Sequence, residues 1–141
     1  MEVSLVRRRV QNAIAAARQQ AQAQRQAAAE AERAYTVFLE QVAIPIARQL
    51  ANALKVEGLA FTVFTPGGGL RLAADRGRDD FIELTLDTAA LPPQVIGRIS
   101  YTRGSRTIDE EGPLKAGASP DQITEEDVLE FFVSALEPWL R

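Results

Sequence analysis

Carboxylates are the residues of this chain best equipped for chemistry, and Asp75, Asp79, Asp80, Glu83 and Asp87 crowd one short stretch of it. Oxygen donors at that density are what a divalent-metal nuclease or phosphoryl-transfer site employs. Their spacing argues for a plainer role. Asp79 and Asp80 belong to a Gly77-Arg78-Asp79-Asp80 turn, where acids are common. Glu83 and Asp87 alternate with apolar neighbours, as the wet face of a strand does, and no lysine follows at nuclease spacing. A carboxylate-metal enzyme is therefore the least favoured class, and neither a metal nor another cofactor is expected.

Two absences narrow the chemistry further. The chain has no histidine and no cysteine. Ser-His-Asp catalysis, histidine-metal sites, zinc-thiolate centres, disulfides and cysteine nucleophiles are thus excluded. Pro66-Gly67-Gly68-Gly69 offers consecutive backbone amides of the kind that cradle anions. It lacks the Gly-Lys-Ser/Thr ending of a phosphate loop and lies between two strand-like runs, so a hairpin turn is expected. Arg98, Tyr101 and Arg103 fall near one another on a strand and could edge a small-ligand pocket. Phe131, Phe132 and Trp139 recur at helical spacing and read as core.

Arg7, Arg8 and Arg9, with Arg18 and Arg25, are the best candidates for contacting phosphates. They suggest a nucleic-acid-associated accessory protein as the second reading. Against it stand an acidic pI of about 5.1 and the absence of aromatic residues nearby. The same arginines flank Val3, Leu5, Val6 and Val10, but this apolar face is short for a membrane-surface helix. No stretch approaches the roughly 20 apolar residues that cross a bilayer, and Met1 to Ile14 lack the apolar run of a secretory signal. No membrane partner is expected, and the sequence reads as a soluble, cytoplasmic protein.

These groups must be positioned by the surrounding elements, and the longest is helical. Leu5 to Val56 contains no glycine and a single proline, Pro45, while alanine, glutamine, arginine and glutamate dominate. Alternating steps of four and three residues pick out Val10, Ile14, Ala17, Ala21, Gln24, Ala28, Ala31, Tyr35, Phe38 and Val42. This is the 3.5-residue period of a coiled-coil seam, and a single helix cannot bury it. Gln24, its one polar member, is placed to fix register. Pro45 should kink or divide the helix. Residues 1–35 thus read as a projecting arm and 36–141 as the body of the domain.

Gly58 ends the helical span. Leu59–Thr65 and Leu70–Asp75 form a hairpin about Pro66–Gly69, Ile82–Asp87 alternates as a third strand, and Val95–Arg103 is a fourth. Arg106–Asp109 suggests a short fifth strand, and Glu110–Asp121 a loop. Thr124 caps the last helix, with Asp127 in a capping box and Ile123 and Val128 as a staple. Val128, Phe131, Phe132, Ala135, Leu136 and Trp139 cover one face of it, and Leu129, Val133 and Leu140 widen that face, so burial of most of this helix is expected. The fold class is α+β: a long N-terminal helix, a four- or five-stranded antiparallel meander, and a C-terminal helix packed on the sheet in two layers.

Charge divides along the chain. Residues 1–57 hold eight basic side chains against five acids, and the rest carries the whole net negative charge. The leading functional expectation is a non-catalytic assembly or adaptor subunit. It would be a homo-oligomer, with a dimer favoured, joined through the seam and presenting its β-domain to a further protein partner.

Overall fold

The computed structural model describes residues 1–141. Helix α1 spans Val3–Phe38, a π-helical turn follows at Leu39–Ala43, and α2 runs through Ile44–Val56. The three are continuous, so Pro45 neither breaks nor ends the helix. The physical reason lies in the widened turn. Ile44 N–H donates to Leu39 O, five residues back. That spacing adds a residue to the turn just before proline removes a donor. The helix then stops in a Schellman motif. Leu59 N–H donates to Leu54 O at 2.8 Å and Gly58 N–H to Lys55 O at 3.0 Å, with Gly58 at φ 82°.

Five antiparallel strands follow in one sheet, each paired with its sequence neighbour: β1 Phe61–Phe64, β2 Leu70–Ala74, β3 Phe81–Asp87, β4 Gln94–Arg103 and β5 Arg106–Pro113. The fifth strand extends past the expected Asp109, through Glu110, Glu111 and Gly112, because each pairs in register with Ile99, Arg98 and Gly97 of β4. The ladder hydrogen bonds override a composition that reads locally as loop. A 3₁₀ turn at Pro120–Gln122 then leads into helix α3, Glu125–Ala135, and a final turn α4, Glu137–Leu140. The α3 capping box is complete: Asp127 N–H donates to Thr124 Oγ1, and Thr124 N–H donates to Asp127 Oδ2.

Register fixes which side chains face the helices. Leu70, Leu72, Ile82, Leu84 and Val95 are fully buried beneath them. Tyr35, Phe38, Leu39, Ala43, Ala47 and Leu54 close the core from the long helix, and Val128, Phe132, Ala135 and Leu136 close it from α3. Gly97 sits under the Phe131 ring, where any Cβ would overlap it. One expectation fails here. Leu129, Val133 and Leu140 are about half exposed, because the sheet covers only one face of α3 and the long helix only one flank.

The opposite face of the sheet is a charge ladder. Arg71, Glu83, Arg98 and Glu111 lie in register across β2 to β5. Arg71 Nε donates to Glu83 at 2.8 Å, and Arg98 binds Asp109 through two bonds at 2.9 and 2.7 Å. Phe81, on this same wet face, is nonetheless buried, since the Arg71 guanidinium lies 3.9 Å from its ring centroid and that of Arg98 lies 5.4 Å away.

Candidate assembly interface

The residues proposed to form the seam are divided by the body of the domain. Ala31, Tyr35 and Phe38 are buried in the chain's own core. Tyr35 stacks on Phe38, and its hydroxyl donates to Leu84 O at 3.2 Å. Burial raises the Tyr35 pKa above the usual phenol range, with the nearby Glu83 charge adding to it. Val42 is half-buried against the same core. Gln24 and Ala28 are also half-buried, and Gln24 Nε2 donates to Thr88 O at 2.9 Å.

N-terminal to Gln24 the helix is bare. Residues 1–23 are exposed along their whole length. Val10 keeps 52% of its surface in solvent and Ile14 keeps 45%, with Ala17 and Ala21 beyond them on the same stripe. Continued backwards, the steps of four and three reach Arg7 and Val3. Of the seam, then, the half rich in β-branched residues is open and the half ending in aromatics is closed.

A groove marks the boundary between the two halves. It has a volume of about 700 Å³ and runs between Ala17, Ala21, Gln24 and Ala28 of the helix and Thr88, Ala89 and Leu91 of the β3–β4 connection. Leu91 is 72% exposed on its rim. Nothing in the local sequence announces this groove. Its two walls lie 64 residues apart at the Gln24–Thr88 hydrogen bond, and Leu91-Pro92-Pro93 shows locally only as an interruption between strands.

Arg7, Arg8 and Arg9 are exposed and form no ion pair within the chain. Arg98 and Tyr101, read together as a pocket edge, fall on opposite faces of the sheet. Arg98 belongs to the ladder, while Tyr101 meets the edge of Trp139 on the helical side, with Arg103 over its ring. Arg98 holds the Asp109 carboxyl below the usual carboxylate range through their hydrogen bonds, and Asp109 in turn raises the Arg98 pKa.

The carboxylates that opened the sequence reading do not converge. Asp75 accepts from Thr62 Oγ1, Asp80 from Thr102 N–H and Trp139 Nε1, Glu83 from Arg71, and Asp87 from Ala89 N–H. Each of these four is held by its own partner, and no three of the chain's acids stand close enough to share a metal ion. A second cleft, of about 450 Å³, lies between α3 and the end of β5 and is lined by Ile99, Leu114, Lys115, Asp127 and Phe131. Lys115 Nζ is tied there to Asp127 at 3.0 Å. No helix is long and apolar enough to cross a membrane.

Comparison with protein-family models, with curated proteins and with solved structures returned no match for this chain.

Proposed function

We propose that this chain is a non-catalytic assembly subunit that self-associates through the open half of its long helix, leaving the β-domain free for a further protein partner. The observation that carries this reading is the stripe of Val3, Val10, Ile14, Ala17 and Ala21, which is exposed along its whole length. An amphipathic helix is stabilised mainly by packing its apolar face, and isolated helices are marginal in water. A second helix laid on that stripe supplies the missing packing. The separate engagement of Asp75, Asp80, Glu83 and Asp87 by structural partners supports the non-catalytic part.

The test is absolute mass by light scattering over a wide range of protein concentration, with the full chain. A mass rising from monomer to an oligomer, insensitive to replacing Arg8 and Arg9 with glutamine, supports the reading. A monomer at every concentration, or an oligomer that forms only with added DNA or RNA and dissolves with salt, overturns it.

A further inference from the structure

Building on that self-association, we infer that two copies pair their arms antiparallel in a single register, with residues i and j facing when i and j add to 31, so that residues 3–10 of each copy lie in the groove of the other.

The stripe itself selects the register. Its exposed large apolar members, Val3, Val10 and Ile14, all lie in the first part of the arm, and its small members, Ala17, Ala21 and Ala28, all lie in the second. Its two polar members are Arg7 and Gln24. In the antiparallel register Val3 faces Ala28, Val10 faces Ala21 and Ile14 faces Ala17. Every apolar layer then sets a large side chain against alanine, so the helix axes keep one spacing along those layers, as close packing requires. The polar positions meet in the same register, Arg7 against Gln24. Gln24 has already committed its amide nitrogen to Thr88 O, which leaves its side-chain oxygen as the acceptor and Arg7 as a donor of matching kind.

Parallel pairing would do the reverse. It stacks Arg7 on Arg7 and brings both Arg7–Arg9 clusters together, while alanine meets alanine along the second half. In the antiparallel pair the clusters are about 22 Å apart along the axis, twice the Debye length of about 10 Å.

Area explains the groove. A helix face about 39 Å long and about 11 Å wide presents about 430 Å² per copy, from 26 residues at the usual rise. Both copies together reach about 860 Å², short of the roughly 1,200 Å² at the low end of stable interfaces. The groove adds a second wall at each end of the pair, where Ala89 and the exposed Leu91 flank the partner's first turns.

The chain has no cysteine, so introduced thiols report without background. Val10→Cys, Ala21→Cys and the double variant, all at exposed positions, are treated with a short bismaleimide after the mass in solution has been measured. The expected result is covalent dimer from the double variant and none from either single variant. Dimer from Val10→Cys alone means parallel arms and overturns the register while the self-association reading stands. A dimeric mass with no cross-link from any variant shows that positions 10 and 21 do not face each other and overturns the register while self-association stands. A monomeric mass overturns both, and the stripe then belongs to a helix of a different protein.

Discussion

Glutamate in place of Ile14 separates what the arm does for the fold from what it does between copies. Complete burial of an isoleucine is worth about 1.5–3 kcal/mol. Ile14 retains 45% of its surface in the isolated chain, so a partner helix gains about 1 kcal/mol from covering the remainder. A two-fold pair loses that twice, about 2 kcal/mol, or about 30-fold in the dimer dissociation constant. Desolvation of the new carboxylate opposite Ala17 pushes the loss higher. The monomer should not notice, because Ile14 is exposed in the isolated chain and glutamate is as good a helix former. The assay is sedimentation equilibrium of wild type and Ile14→Glu across concentration, with far-ultraviolet circular dichroism to confirm equal helicity. A change in dissociation constant below about threefold, less than 1 kcal/mol, with helicity preserved, would refute the placement of Ile14 in the contact.

Other consequences can be read in the monomer. Thr124→Ala removes the acceptor for Asp127 N–H and should cost about 1 kcal/mol in denaturant unfolding, with little change in the slope. Gly97→Ala displaces the Phe131 ring and should cost about 1–2 kcal/mol. In a Phe131→Ala background the same change should be neutral or stabilising, a coupling that a double-mutant cycle measures. The Asp127 carboxyl is held below the usual carboxylate range by the Thr124 N–H, with Lys115 adding to it. A depressed folded pKa gives stability that is present above the unfolded value of about 3.9 and lost as pH falls through the folded one. Acid unfolding should therefore show a shallower pH dependence in Asp127→Asn than in wild type, measured by denaturant midpoint at each pH.

Much of this fold is legible because its signals are local and periodic. The long glycine-free helix, the glycine and proline turns at residues 66–69, the alternation of Ile82, Leu84 and Leu86, and the Thr124–Asp127 cap each depend on neighbours in sequence, and each has its counterpart in the structure. What escaped depends on partners far along the chain. Nothing near Glu110–Gly112 announces a strand, since the information lies in β4. Phe81 looks exposed by alternation until two arginines from neighbouring strands cover it. The seam shows no boundary in its periodicity, yet the Gln24–Thr88 contact divides it into a half that serves the core and a half left open. Pro45 reads as a kink or a division because local rules contain no mark for a turn that widens ahead of it.

The Gln24–Thr88 contact is also the fulcrum of a lever. Ala31, Tyr35 and Phe38 fix the rear of α1 in the core, while Val3 to Ala23 extend beyond that contact in one piece. Those residues span about 32 Å, so a tilt of about 10° at the fulcrum moves the far end by about 5 Å. Such a tilt would lift the open stripe away from Leu91 without altering a single residue of either. The heading of the arm is therefore set at its root, by one hydrogen bond far from its tip.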